Sequence, residues 1–89
     1  MRCRFEVTGR VQGVGFRAHA RAMAEKLGLV GYVENRADGA VVGEADGTPE
    51  ALDAFAEWLR RGPTFGRVDA LVWEGIDGTR REPAFTIRR

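Results

Sequence analysis

A tight reversal at Ala37-Asp38-Gly39 constrains this chain more than any other feature, because it joins two stretches of strand character that are themselves bracketed by two stretches of helical spacing. Asp-Gly between alternating runs is hairpin chemistry. It predicts β2 over about 30–36 and β3 over about 40–46 as antiparallel neighbours. Upstream, Phe16, Ala20, Met23, Ala24 and Leu27 recur with helical spacing and predict α1 over about 16–27, with Gly28 as its stop. Downstream, Thr48 is a candidate N-cap with Pro49 at the first helical position and Glu50 in the first turn. Leu52, Phe55, Ala56 and Leu59 then give α2, about 49–61, one apolar face, and Gly62-Pro63 ends it. Outside this frame, Cys3, Phe5 and Val7 alternate with Arg4, Glu6 and Thr8, the period of a strand buried on one side, and predict β1 over about 3–9. β4 is expected over about 67–74. A polar turn around Asp77-Gly78 leads to a short β5, about 84–88, carrying Phe85 and Ile87.

Two helices separated by a hairpin fit an α+β, ferredoxin-like split β-α-β sandwich, in which an antiparallel sheet carries both helices on one face. With 89 residues there is material for one core, so residues 1–89 are read as a single domain. Hydrophobic residues make up 44% and charged residues 30%, which is the composition of an ordered globular chain rather than a disordered one. The formal net charge is +1, so no bulk field draws in nucleic acid or lipid and any anion site must be local. Cys3 is the single cysteine and His19 the single histidine, which excludes an intramolecular disulfide and a His/Cys zinc set. No serine is present, the aspartates form no closely spaced pair, and Cys3 is not followed by arginine at the spacing of a cysteine-phosphatase loop. A catalyst built from this chain works mostly without the usual nucleophiles.

The stretch Gly9-Arg10-Val11-Gln12-Gly13-Val14-Gly15-Phe16-Arg17 joins a strand to a helix. Its glycines allow backbone shapes closed to other residues, so main-chain N–H groups can converge on a ligand. The first N–H groups of a helix lack intrahelical partners and carry the positive end of its dipole. Arg17 falls in that first turn, where a planar guanidinium can add two parallel bonds to an anion. The ordinary readings are a common Gly-rich connection and a solvated surface arginine. Gly13-x-Gly15-x-x-Ala18 with Glu34 downstream also fits a dinucleotide-binding fingerprint, but that fold needs parallel crossovers, and here the second strand turns straight back. Asn35, by alternation, shares a face with Val33 beside the hairpin turn. Its ordinary reading is a polar residue approaching a turn.

Taken together, Gly9-x-Val11-Gln12-Gly13-Val14-Gly15-Phe16-Arg17 and Gly31-Tyr32-Val33-x-Asn35-x-x-Asp38-Gly39-x-Val41 resemble the two signature motifs of the acylphosphatase family, in the family's order and spacing. The resemblance runs from β1 to the last strand, with one departure, Tyr32 where many members carry Trp. It implies a cofactor-free, metal-independent hydrolase of acyl phosphates. It further implies that Arg17 binds the substrate phosphate and that the backbone N–H groups of Gln12, Gly13, Val14, Gly15, Phe16 and Arg17 complete the cradle. Asn35 would orient the attacking water. Inorganic phosphate is then the product and an expected inhibitor. His19 is expected to face solvent with no catalytic duty, and Cys3 to be a small core residue.

The rival reading is a non-catalytic ferredoxin-like binding module. RNA is disfavoured because neither β1 nor β3 presents exposed paired aromatics. A second rival, an acylphosphatase-like domain of a larger carbamoyl-transfer maturation enzyme, would be followed by further modules, whereas this sequence stops at Arg89. Charges interrupt Met1–Glu6 where a signal peptide needs an apolar core, and no apolar run nears the roughly 20 residues of a membrane span. The expectation is a cytoplasmic monomer with neither membrane nor nucleic-acid partners.

Overall fold

The computed structural model describes residues 1–78 and 82–88. Among these, the elements follow the predicted order: β1 (Arg2–Arg10), α1 (Phe16–Lys26), β2 (Val30–Asn35), β3 (Val41–Asp46), α2 (Pro49–Arg61), β4 (Arg67–Ile76) and β5 (Phe85–Arg88). The strands form one five-stranded sheet in the order β4-β1-β3-β2-β5. The four strands β4-β1-β3-β2 are antiparallel, which is the expected split β-α-β frame.

The sheet departs from the expectation of a wholly antiparallel one at its edge, where β5 pairs parallel to β2. Strand direction accounts for this. β4 runs antiparallel to β1 and therefore ends level with the start of β1, where Arg2 faces Ile76. The chain reaches β5 on the opposite edge from that same end, so β5 runs in the direction of β1 and β2. Glu82 marks the crossing, with its carboxylate 2.8 Å from Arg2.

Period-2 alternation sorts the two faces. Phe5 stands opposite Gly43 on one side and Trp73 on the other, and Gly43 in turn faces Val33. Phe5, Val7, Val33, Val41 and Phe85 pack with Phe16, Ala20, Leu52, Phe55 and Leu59 of the helices into one core. Aromatic rings tie the layers: Phe55 meets Phe5 and Phe85 edge-on, each with centroids 5.7 Å apart, and Phe16 meets Trp58 at 5.5 Å. Such contacts add about 0.5–1.5 kcal/mol each beyond area burial. Cys3 lies in this core as a free thiol, as expected.

The other face is polar and heavily paired. Arg2 is its buried centre, its side chain only 2% exposed, with Glu44 at 2.6 Å and Asp46 at 3.5 Å in addition to Glu82. Tyr32 donates its hydroxyl to Glu44 at 3.1 Å, and the Arg88 guanidinium lies 3.6 Å from the centre of its ring. Burial raises the Tyr32 phenol above its ordinary value, with the Glu44 contact acting in the same direction. The aromatic residue at position 32 therefore serves the face away from the helices.

Candidate active site

At the top of β1 the ladder to β4 shifts register between Thr8 and Gly9. Such a bulge bends a strand and re-aims the chain beyond it, which here is the loop 11–15. Gly13 and Gly15 take φ of +77° and +75°, left-handed values that glycine adopts without steric cost. Gly15 is the N-cap of α1, yet it offers no side chain to the first turn, and that turn holds no acidic residue. The carbonyl of Gly15 is well satisfied by the His19 N–H at 3.0 Å and by the His19 ring Nδ1 at 2.8 Å. His19 itself is exposed, as expected.

A cleft of about 210 Å³ opens at this helix start. That is many times the roughly 10–15 Å³ needed to hold one water, so the cleft has room for several waters or for a phosphoryl group with a small substituent. One wall is the loop and first turn, from Gln12, Gly13, Gly15, Phe16 and Arg17; the opposite wall is Asn35; Val11, Ala18 and Ile87 supply apolar surface. Val14, also expected in the cradle, does not border the cleft and packs its side chain against the core. No bordering residue is acidic.

Asn35 reaches the cleft by strand geometry. It pairs with Val41, which pairs register for register with Val7 across β3 and β1. Directly paired residues share a face, and both valines are fully buried beneath the helices. The amide thus ends a core row and emerges at its rim. Arg17 is half-buried, and its Nη1 donates to the Arg88 carbonyl of β5 at 3.2 Å. A guanidinium carries five N–H donors, so one bond to a neutral carbonyl steadies the group without neutralising it. Arg36, next to Asn35, is turned to the opposite face, with Glu6 at 2.6 Å and Asp38 at 2.8 Å. It holds both carboxyls below their ordinary range, with the Ala40 N–H assisting at Asp38. Among the described residues that border it, the cleft therefore keeps one cation and no local counter-charge.

The structure brings Gln12, Gly13, Gly15, Phe16, Arg17 and Asn35 to one opening. Sequence reasoning missed the Arg88 carbonyl behind Arg17 and the wall from Ile87. Ile87 alternates with Phe85, so its face was readable; its neighbour in the sheet was not. Among the described residues no group of three or more His, Cys, Asp or Glu side chains could hold a metal ion, and no helix is long and apolar enough to cross a membrane.

Comparison with known proteins decides the lineage, since the acylphosphatase family model matches residues 3–87. The chain belongs to the acylphosphatase family. The acylphosphatase of Actinobacillus succinogenes is 45% identical over 85 residues, covering 96% of this chain and 94% of that protein. That of Thermus thermophilus is 52% identical over 65 residues, covering 73% and 74%. The crystal structure of acylphosphatase from Bacillus subtilis superimposes with a TM-score of 0.95 at 36% identity, over 99% of this chain and 98% of that one. As an acylphosphatase-family hydrolase the chain has a natural substrate class in small acyl phosphates, and the ferredoxin-like α+β fold is the one its solved relatives share.

Proposed function

We propose that this cleft hydrolyses the carboxyl–phosphate bond of acyl phosphates by direct attack of water, with Arg17 and the loop amides holding the phosphoryl group and Asn35 holding the water. The observation that carries this reading is one opening bordered by an uncapped helix start, an unneutralised guanidinium and a neutral amide, with no acid among them.

The chemistry explains why so few groups suffice. In an acyl phosphate the leaving group is a carboxylate, whose conjugate acid has a pKa near that of Glu, roughly 4.3, so it departs without a strong general acid. What remains is to hold a dianion, spread its charge and place water in line with the breaking P–O bond. Backbone N–H groups of Gln12, Gly13, Gly15, Phe16 and Arg17 and the positive end of α1 meet the non-bridging oxygens. Arg17 adds a fork of donors at fixed geometry, already steadied from behind by the Arg88 carbonyl. The Asn35 side-chain carbonyl accepts from the attacking water without adding charge that would repel the phosphoryl group. Water oxygen bonds to phosphorus as the bond to the acyl oxygen breaks. The electron pair leaves with the carboxylate, and the water proton passes to a phosphoryl oxygen or to solvent. No phosphoenzyme forms and no metal takes part.

The test is hydrolysis of benzoyl phosphate by the pure protein, with and without a chelator, and with inorganic phosphate as competitor. Expected are turnover unaffected by chelation and competitive inhibition by phosphate. Phosphate binding without turnover would favour a non-catalytic module, and loss of turnover on chelation would overturn the metal-free step.

A further inference from the structure

Gln12 does something with its side chain that a cradle residue acting through its backbone does not require. Its Nε2 donates to the Arg36 carbonyl at 2.8 Å and to the Ala40 carbonyl at 3.0 Å. Those carbonyls close the mouth of the β2–β3 turn, where the Arg36 N–H donates to Ala40 O at 2.8 Å and the Gly39 N–H to Arg36 O at 3.1 Å. Both protons of one primary amide are thus engaged across the base of a hairpin, and each carbonyl uses its second lone pair to accept them. The sequence separations are 24 and 28 residues, so the contact joins two segments that neither the β1–α1 loop nor the hairpin needs for its own closure. Asn35 immediately precedes Arg36. From the other side, the Arg36 guanidinium is tied to Glu6 and Asp38, so the peptide after Asn35 is held on both faces of the sheet.

We propose that Gln12 is a positioning residue, whose side-chain amide sets the spacing between the phosphate cradle and Asn35. The inference rests on the role proposed for Asn35. Reaction rates depend steeply on such spacing, since a misplacement of about 1 Å can cost on the order of 10²-fold. Gln12 need not touch substrate with its side chain to matter at that level.

The test is a double-mutant cycle on turnover and binding of benzoyl phosphate. Gln12→Met keeps length and removes both donors; Gln12→Asn keeps the amide and shortens its reach, and serves as a second variant if the first melts near the assay temperature. For either, kcat is expected to fall roughly tenfold, with KM and inhibition by inorganic phosphate within about twofold. In an Asn35→Ala background, Gln12→Met should cause no further loss in kcat. A wild-type kcat in folded Gln12→Met or Gln12→Asn overturns the proposal, as does an equal proportional loss with Asn35 already removed, or a loss confined to phosphate binding. Full turnover by Asn35→Ala alone would instead overturn the role of Asn35, so the two failures are distinguishable.

Discussion

The two helices lie on one face of one sheet, yet their first turns are built to opposite ends. At the start of α2, Thr48 takes an extended conformation, its hydroxyl accepts from the Ala51 N–H at 3.2 Å, Pro49 brings no N–H that needs a partner, and Glu50 places negative charge at the positive pole. At the start of α1, Gly15 is left-handed, caps with no side chain and is followed by Arg17 rather than an acid. A cation near a helix N-terminus costs on the order of 0.3–1 kcal/mol, and glycine in place of a capping side chain adds roughly a few tenths of a kcal/mol. One start is completed by a side chain of its own; the other has no side-chain cap and no acid, as the proposed anion site requires. A local rule broken beside an open cleft, and obeyed away from it, locates function without reference to any relative.

The contrast can be tried from both sides. The largest effect is expected across the cleft from α1. Asn35→Ala should lower kcat for benzoyl phosphate at least on the order of 10²–10³-fold, the loss known for an oriented donor in a reacting site, with an unchanged melting temperature. Near-normal turnover by a homogeneous sample would remove the reason for leaving α1 open. Arg17→Lys keeps charge but loses the fork. Inhibition by inorganic phosphate should weaken roughly tenfold, about 1.4 kcal/mol and close to the lower end of what one charged hydrogen bond contributes, and phosphate titration reads it directly. At α2 the effect is on stability alone: Thr48→Ala should cost about 1 kcal/mol and lower the melting temperature by about 4–8 °C, with kcat preserved in the folded protein. Altered kinetics there would erase the distinction between the two starts. Smallest of all, His19→Ala should leave turnover within about twofold, because Gly15 O retains the His19 backbone N–H; a large fall in the maximal rate would draw His19 into the site.

Much of this arrangement was legible in the residues. α2 was bounded correctly from Thr48-Pro49 at one end and Gly62 at the other, because caps are local chemistry. The side on which Asn35 emerges came from strict alternation with Val33. β4 runs to Ile76, past the predicted end near residue 74, since its ladder with β1 continues to Arg2, and pairing length is a property of two strands rather than one. Arg2 was illegible for a similar reason. Alternation puts it on the polar face, but three carboxylates from residues 44, 46 and 82 bury it there, and no spacing in the sequence announces that they meet. The parallel berth of β5 and the reach of Gln12 to residues 36 and 40 belong to the same class: contacts over long separations, made by side chains whose local preferences are ordinary.

The placement of β5 has a consequence for the order in which the protein matures. Both signature stretches leave the ribosome by residue 41, but the carbonyl behind Arg17 and the wall from Ile87 arrive only at residues 88 and 87. A nascent polypeptide that has emerged only as far as the hairpin holds nearly all the chemical groups and still lacks a finished groove, so competence to turn over substrate would wait for residues 87 and 88 rather than accumulate with length.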